Sequence, residues 1–471
     1  MQFELAKTYQ SIAIFPGNLN VDQSLSQFAG NIKLILATFL SVDEWKTVEG
    51  IDTFDVDEFV RKKLHTNEVY KEKRIFEKYP ELLRYVSHDS NLYHIMARKT
   101  SGKSSIYQHD VLIEKIVYRS LFLLLDYKID VIITHDTPHV MFEYIFCKVA
   151  SFLKIDIYSI RRTPLPWKSY LERGLVYGEL VKVKDIQVTD QDKLDVDGYV
   201  EQKLDSYENA IPIYEKRRLD KYKGKVWNWQ VEMVNHFLKS GKRPHVSAAS
   251  LWAKYQAYKR YESLQGDLME GDKFVSVLLH YQPERTTLPE GDIFDQQIHA
   301  IRMLRLLLPE DVKIVVKEHP STFRLEYKYN VRPYDYYKTI VSIPNVILAP
   351  FSLDSFELIG RGLFTATITG TVAIEAACRG KCCIYFGNAQ FKSMPGAYHI
   401  SEVWADNTIM KQLLSGELTP TLEDVKFYFQ GLLTDSFGYV PEGKAYTEKD
   451  ISYLGGGICL KTFVETIAAS K

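Results

Sequence analysis

Four short polar segments carry the side chains best suited to chemistry, and each follows an apolar run typical of a β-strand. Parallel strands bring their carboxyl ends to one edge of a sheet, and ligands bind at that edge in open α/β folds. We therefore expect these segments to supply the functional residues. They are HDTPH at 135–139, QPERTT at 282–287, KEHP at 317–320 and TGT at 369–371.

The turn Thr369-Gly370-Thr371 lies between an apolar run and a helical run of small residues. Glycine lets the backbone approach an anion, threonine hydroxyls can donate to phosphate oxygens, and a helix start adds free N–H groups and a positive dipole end. Glu375 lies one helical turn further, where its carboxylate could accept both hydroxyls of a ribose. This turn is the best candidate for nucleotide binding; the alternative is an ordinary strand-to-helix turn.

The segment from Lys317 to Pro320 offers a second phosphate contact. Proline restricts the loop after His319, whose imidazole could donate to a phosphate that becomes the leaving group, while Lys317 adds positive charge. A histidine at the end of a strand can equally be a structural residue. Two phosphate-suited segments in one predicted domain favour the functional interpretation.

The segment QPERTT offers a carboxylate and a guanidinium at the end of a predicted strand. Glu284 could act as a general acid or base if burial raises its pKa, and Arg285 could clamp a diphosphate or a sugar carboxylate. Gln282 is the candidate substrate contact of this segment. The alternative is a loop held together by its own salt bridge.

The segment HDTPH supplies candidates from the first half of the chain. Asp136 could deprotonate an acceptor hydroxyl or attack an anomeric carbon, with His139 orienting it or binding substrate. Arg161, near the end of the next predicted strand, is a further substrate-binding candidate. Asp136 could instead cap the following helix, since Pro138 suits a first helical turn. Both interpretations of Asp136 stay open.

Two successive sets of alternating strands and helices position these segments. The pattern predicts an α/β protein with two doubly wound, Rossmann-like domains facing a central cleft. Within the first domain, a helix is expected over 22–40 and irregular structure over 180–204. The expected divisions are an N-terminal domain at 1–204, a helical connecting segment at 205–268, a C-terminal domain at 269–450 and a C-terminal helix at 451–471 that packs back on the N-terminal domain.

Composition narrows the class of protein. The 471 residues are 46% hydrophobic and carry a formal net charge of −1, so no global field attracts nucleic acid or an anionic membrane. No apolar run reaches the roughly 18 residues of a membrane span, and the N-terminus lacks a signal pattern, so we expect a cytoplasmic protein that acts at most on a membrane surface. Five cysteines without metal-ligand spacing indicate a reducing compartment and no metal site. The missing P-loop pattern argues against NTP hydrolysis.

Three stretches resemble the bacterial capsule and surface polysaccharide biosynthesis family, which includes the transferases that build Kdo linkers. The resemblance covers mainly residues 270–400, and its motifs are QPERTT (282–287), VKEHP (316–320) and TGTVAIEAACRGKCCIYFG (369–387). It implies a GT-B fold whose C-terminal domain binds a nucleotide sugar, with His319 and the turn 369–371 on the donor phosphate and Glu375 on the ribose. It implies no cofactor beyond this donor substrate, and a glycan or glycolipid acceptor on the N-terminal side. The segment 380–382 lacks the proline usual in the family, and no catalytic carboxylate can be matched.

The sequence therefore predicts a metal-independent glycosyltransferase in surface polysaccharide assembly, associated at most peripherally with the inner face of the membrane. A CMP-linked acidic sugar such as Kdo is one candidate donor. Asp136 or Glu284 would be the base or nucleophile, and His319 would stabilise the departing phosphate. Two alternatives stay open: a nucleotide-sugar epimerase of the same architecture, and a non-catalytic partner in polysaccharide assembly or export.

Overall fold

The protein packs as two compact units in the computed structural model, which describes residues 2–3, 7–15, 23–37, 49–56, 77–100, 105–184, 186, 188–204, 244–282, 284–323, 332–438 and 462–466. Unit 1 comprises 1–193 with 429–471, and unit 2 comprises 194–428. Residues 205–243, most of the expected connecting segment, lie outside the described residues. Unit 2 ends at 428, before the expected 450, because the chain from 429 onward returns to unit 1.

Strands and helices alternate through both units. The strands are β1 (Gln2–Phe3), β2 (Ile12–Phe15), β3 (Ile32–Ala37), β4 (Asp52–Asp55), β5 (Val131–Thr134), β6 (Asp156–Arg162), β7 (Lys168–Arg173), β8 (Glu179–Leu180), β9 (Val183–Lys184), β10 (Phe274–Leu278), β11 (Lys313–Lys317), β12 (Val346–Leu348), β13 (Thr365–Thr367), β14 (Cys383–Tyr385), β15 (Ala397–His399) and β16 (Phe437–Gly438). The helices are α1 (Leu82–Ser87), α2 (Ser90–Thr100), α3 (Ile106–Asp126), α4 (Met141–Phe152), α5 (Asp190–Leu204), α6 (Pro244–Ser263), α7 (Ile298–Leu307), α8 (Tyr336–Val341), α9 (Ser355–Arg361), α10 (Val372–Cys378), α11 (Ile400–Ala405), α12 (Asn407–Ser415) and α13 (Leu422–Asp435). Within the described ranges, no helix is long and apolar enough to cross a bilayer.

Unit 1 is built on a sheet whose central strand is β2. This strand pairs in parallel with β3 on one side and β5 on the other, and the parallel strands run in the order β4-β3-β2-β5-β6. That is the order of a doubly wound Rossmann sheet. The strands β7, β8 and β16 extend the β6 edge in antiparallel pairing.

Strands β2 and β5 lie at the centre of the sheet of unit 1, where their side chains form part of its core. Both strands are buried along their whole length, as continuous apolar runs are in parallel sheets covered on both faces. The chain also returns to this core after unit 2, because Phe463, in a helical turn at 462–466, is fully buried and packs on Tyr158 with ring centroids 5.3 Å apart.

Unit 2 contains a fully parallel six-stranded sheet among its described residues, in the order β12-β11-β10-β13-β14-β15. The order again matches a Rossmann sheet, with β10 as its first strand. Its two faces are both covered, since Val316 belongs to the main core and Val315 to a cluster on the opposite face. The predicted fold class is confirmed: an α/β chain with two doubly wound, Rossmann-like units, which is the composition of a GT-B fold. The cleft between them stays a prediction.

Two expected elements of the N-terminal half are wrong. The helix expected over 22–40 is a 3-10 helix at Gln23–Phe28 followed by strand β3. The side chains of Ile32, Leu34, Ile35 and Leu36 are all buried, which is the pattern of a parallel strand next to the centre of a sheet rather than of a helix with one apolar face. The irregular structure expected over 180–204 contains helix α5, whose buried apolar residues are Val196, Tyr199 and Val200.

Candidate functional site

The strand order of unit 2 reverses between β10 and β13, because the chain passes from β10 to β11 on one side and returns to β13 on the other. In open α/β sheets, ligands bind outside the carboxyl ends of the strands at such a point. His280 follows β10, Thr369 follows β13 and His319 follows β11. The predicted segments 282–287, 317–320 and 369–371 therefore lie at adjacent strand ends.

His280 connects two of these strand ends. Its Nε2 accepts a hydrogen bond from the Thr369 N–H at 3.3 Å and lies 3.2 Å from the Thr367 hydroxyl. Because a backbone N–H can only donate, the neutral ring carries its proton on Nδ1, which lies 3.4 Å from Glu284 Oε2 and donates to it. Sequence reasoning missed His280, and the available signal was its position at the end of the mainly apolar run 274–279.

Glu284 is ionised in this environment. Burial opposes its charge, but the hydrogen bond from His280 and the nearby His280 and His319 rings hold the pKa of the carboxyl below its ordinary value. The raised pKa that a general acid needs is therefore not produced here. A carboxylate beside an imidazole is suited to accepting a proton.

His319 presents a hydrogen-bond donor. The Ser321 N–H donates to its Nδ1 at 3.1 Å, so the neutral ring carries its proton on Nε2. The ring packs on Tyr281 with centroids 5.1 Å apart, and the His319 N–H donates to the Glu318 carboxylate at 2.8 Å. The imidazole is thus fixed in a tautomer that can donate to a phosphate.

Lys317 has a less direct place in the site. Its side chain is buried, and Nζ donates to the Phe351 carbonyl at 3.0 Å. Burial lowers the pKa of the ammonium to about 8, although the negative charge of Asp354 acts in the other direction and raises it. Its charge can strengthen an anion site, but its described hydrogen bond is to the protein.

The turn at 369–371 leaves no room for a side chain at its centre. The Thr369 hydroxyl donates to the Thr286 carbonyl at 2.6 Å, and the Gly370 N–H donates to the Thr367 hydroxyl at 3.3 Å. A Cβ on Gly370 would lie 2.7 Å from Thr367 Oγ1 and 3.2 Å from His280 Nε2. Thr371 precedes helix α10, makes no side-chain cap and is exposed.

Replacing Gly370 by alanine is therefore expected to disturb the site more than the fold. The methyl group displaces Thr367 or the His280 ring, so we expect nucleotide affinity to fall about tenfold or more while the melting temperature changes little. Calorimetric titration with CMP, UDP and GDP measures this. Gly360→Ala is the matched control, since nothing lies within 4 Å of its added Cβ. Equal affinities in the two variants would contradict the expectation.

Glu375 already has a cationic partner. Lys203, at the end of α5, lies with its Nζ 3.5 Å from Glu375 Oε1, and the two side chains are 6% and 13% exposed. Arg379 donates to the carbonyls of Lys203 at 2.6 Å and of Leu204 at 3.3 Å, which fastens the last turn of α5 to α10. A ribose at Glu375 must share the carboxylate with this lysine.

Arg285 and Gln282 also bind protein groups. Arg285 Nη1 lies 2.6 Å from the buried Glu290, which follows the segment, so the guanidinium already has a partner in the protein. The Gln282 amide donates to the Asp295 carbonyl at 2.7 Å. Both side chains shape the turn after β10, and either would have to leave its partner to bind a ligand.

Asp136 and His139 lie together after β5 in unit 1, at the point where the order of that sheet reverses between β2 and β5. Asp136 is 5% exposed and its Oδ1 accepts from the Thr137 N–H at 2.8 Å. The N-cap of α4 is Val140, so Asp136 does not cap this helix. His139 Nδ1 lies 2.9 Å from the Thr137 carbonyl, which can only accept, so the neutral ring has its acceptor at Nε2.

Arg161 has a structural place within the sheet. Its side chain is 1% exposed and lies 2.7 Å from Glu172 on the adjacent strand β7, whose side chain is 2% exposed. A buried guanidinium paired in this way is held by the fold, and no substrate can reach it without breaking the pair. The expectation that Arg161 binds substrate stays a prediction, and it requires that a substrate replace Glu172 as the partner of the guanidinium.

Glu143 was missed by sequence reasoning. It lies in the first turn of α4, close to Asp136, and is 1% exposed. Burial, followed by the charge of Asp136, raises the pKa of its carboxyl to about 8, although the backbone N–H groups of His139 and Val140 favour the charged form. The signal in the sequence was a single acid inside the apolar run from Val140 to Cys147.

Among the residues that the structure describes, no cluster of three or more His, Cys, Asp or Glu side chains could hold a metal ion. No protein-family model matches the chain, and no curated protein matches it. Solved structures with a similar fold include KpsC, the β-Kdo 2,7 transferase of Thermosulfurimonas dismutans (10% identity, 70% of this chain and 97% of that one, TM-score 0.27). They also include a UDP-GlcNAc 2-epimerase of Methanocaldococcus jannaschii, with 13% identity over 90% of this chain and 98% of that one and a TM-score of 0.25. A glycosyltransferase of Rickettsia africae is similar with 10% identity over 99% of each chain and a TM-score of 0.23. Likenesses this distant identify neither an activity nor a substrate.

Proposed function

We propose that the chain is a metal-independent glycosyltransferase whose unit 2 binds a nucleotide-activated sugar. The observation that carries this proposal is the meeting of His280, His319 and the turn at 369–371 where the strand order of unit 2 reverses. The His319 Nε2–H and the exposed Thr371 hydroxyl are donors at that place that suit a phosphate group. A CMP-linked acidic sugar is our candidate donor, on the resemblance of these segments to the surface polysaccharide family.

In this proposal the side chains of unit 2 stabilise the phosphate leaving group. His319 donates from Nε2 to the donor phosphate, and the hydroxyl of Thr371 adds a second donor. As the bond between the anomeric carbon and the phosphate oxygen breaks, negative charge grows on the phosphate, so these donors stabilise the transition state more than the bound substrate. Glu375 accepts the ribose hydroxyls while it shares its carboxylate with Lys203.

The acceptor side of the proposal rests on Asp136. As a carboxylate it removes the proton of an acceptor hydroxyl or attacks the anomeric carbon, and His139 orients it or binds the substrate. Glu284 is the other candidate base, because its lowered pKa keeps the carboxylate ionised and therefore able to receive a proton. We propose a glycan or glycolipid acceptor and action in the cytoplasm, at the surface of the membrane.

The test is a transfer assay on a panel of CMP-, UDP- and GDP-sugars. In His319→Ala we expect turnover to fall about 10²–10³-fold, the usual effect of removing one preorganised donor, with a melting temperature close to that of the parent protein. His299→Ala, an exposed histidine on α7, is the matched control and should keep full activity. Full activity in both His319→Ala and Glu375→Ala would contradict the assignment of His319 to the donor phosphate and of Glu375 to the ribose.

A nucleotide-sugar epimerase is the second candidate. The observation that favours it is the pair formed by His280 and Glu284, an acid–base couple beside the proposed phosphate site. An epimerase converts its nucleotide sugar without an acceptor. Incubation with donor alone, followed by chromatography of the sugar, separates the two functions, because only an epimerase yields a new nucleotide sugar under those conditions.

A further inference from the structure

Beneath the two candidate histidines of unit 2 lies a fully buried carboxylate, Glu318. It accepts hydrogen bonds of 2.8–3.0 Å from the His319 N–H, the Thr322 and Tyr337 hydroxyls, and Nε and Nη2 of Arg332. Burial opposes its charge, but Arg332 and these hydrogen bonds hold its pKa below the ordinary value. Glu318 is therefore an ionised and well-satisfied group.

Arg332 carries this connection to the second histidine. The same Nη2 that binds Glu318 also donates to the backbone carbonyl of His280 at 2.6 Å. Gln297 holds the His280 backbone as well, accepting from its N–H at 2.7 Å and donating to its carbonyl at 3.0 Å. The backbone of His280 is thus fixed at both of its polar groups.

We infer that Glu318 and Arg332 are positioning residues that set the spacing of the His280 and His319 imidazoles. Both members of the ion pair follow β11, and the hydrogen bond from Arg332 to the His280 carbonyl connects them to the loop after β10. The consequence for phosphate recognition rests on the proposed function. Neither residue contacts the phosphate in that function; both act through the histidines.

The spacing matters because His319 donates to the phosphate in the proposed function, while His280 accepts from the Thr369 N–H and so holds the adjacent turn at 369–371 in place. A displacement of about 1 Å in a positioned group can lower a rate about 10²-fold. Lysine at position 332 keeps the charge that Glu318 needs, but it lacks the planar fork that reaches both the carboxylate and the His280 carbonyl. Arg332→Lys should therefore keep the unit folded and loosen the histidines.

The experiment compares Arg332→Lys with two controls. Tyr337→Phe removes one hydrogen bond from the same carboxylate but leaves the connection to both histidines intact. Arg361→Lys alters an exposed pair with Glu357 on α9, whose side chains are 41% and 51% exposed. Nitrogen NMR of ¹⁵N-histidine-labelled protein reports the tautomers, and calorimetric titration with CMP, UDP and GDP reports affinity.

In Arg332→Lys we expect changed His280 and His319 nitrogen signals and affinity for the bound nucleotide about tenfold lower or more. Both controls should leave the histidine signals in place and the affinity within about twofold, even where Tyr337→Phe lowers the melting temperature. Unchanged histidine signals in Arg332→Lys would overturn the inference. Should Arg332→Lys not fold, Glu318→Gln gives the same test, because its amide cannot accept all of the bonds that the carboxylate accepts.

The two readouts separate this inference from the proposed function. Shifted histidine signals in Arg332→Lys, in a protein that binds none of the three nucleotides, would support the positioning role and contradict the proposed function. Nucleotide binding with unshifted signals would support the proposed function and contradict the positioning role.

Discussion

Replacing Arg161 by alanine is expected to lower the free energy of unfolding of unit 1 by about 3–5 kcal/mol, the usual cost of removing one partner of a buried ion pair. The variant leaves Glu172 charged and buried without the guanidinium that lies 2.7 Å away in the native protein. Urea unfolding followed by circular dichroism measures the change. The size of the effect follows from burial, because both side chains are at most 2% exposed.

Arg173 provides the matched control for this prediction. It lies on β7 and pairs with Asp156 at 2.9 Å, but its side chain is 42% exposed. Arg173→Ala should therefore change the free energy of unfolding by about 1 kcal/mol or less. Replacing both members of the buried pair, as Arg161→Met with Glu172→Leu, should restore much of the loss, since no unpaired charge is left inside. An Arg161→Ala protein with native stability and no turnover would instead support a role in substrate binding.

The second large effect is a pH-dependent gain of stability in Glu143→Gln. In the folded protein the carboxyl keeps its proton up to a pKa of about 8, whereas its ordinary value is 4.5. The folded state therefore binds the proton more tightly than the unfolded state. This contribution to stability is complete below about pH 4.5 and is lost as the pH rises to about 8. We compare the free energy of unfolding of Glu143→Gln with that of wild type. The variant minus wild-type difference should be roughly 3–5 kcal/mol larger at pH 8–9 than at pH 4.5.

The quantity to measure is the difference between variant and wild type, because other titrating groups cancel in it. Urea unfolding at intervals between pH 4.5 and 9 gives that difference. Asp136 is the charged group that raises the pKa of Glu143, and Cys147 is the thiol near it. Glu357→Gln, at an exposed site on α9, should show a flat difference. Parallel stability curves for Glu143→Gln and wild type would show that Glu143 is ionised in the folded protein.

The strand ends of unit 2 could be predicted from the sequence because local pattern is sufficient there. The run before Lys317 is apolar and β-branched, the run before Thr369 combines apolar and β-branched residues, and a polar segment marks where each one ends. The same pattern did not reveal His280, which stands at the end of the mainly apolar run 274–279. Polar residues at the last position of a predicted strand belong among the site candidates.

Ion pairs inside the protein could not be predicted in the same way. Whether Arg161 contacts a ligand depends on Glu172 lying beside it on an antiparallel strand, and the state of Glu375 depends on Lys203, far away in the sequence. Such pairs arise only when the tertiary structure brings the partners together. The residue type shows which side chains can carry a charge. Only the folded structure shows which of those charged groups are buried beside an oppositely charged partner.

Strand β16 has a consequence for synthesis on the ribosome. It pairs with the Lys168–Ser169 end of β7, yet roughly 240 residues of unit 2 separate it from the rest of unit 1. At a synthesis rate of about 5–20 residues per second, the Lys168–Ser169 end of β7 is made roughly 12–50 s before β16 is available to pair with it. Unit 2 is continuous in the chain and can fold as it emerges. An open sheet edge invites pairing with other chains. The nascent protein therefore passes through a period in which it is prone to aggregate and suited to chaperone binding, and this period ends only when the returning segment completes the sheet.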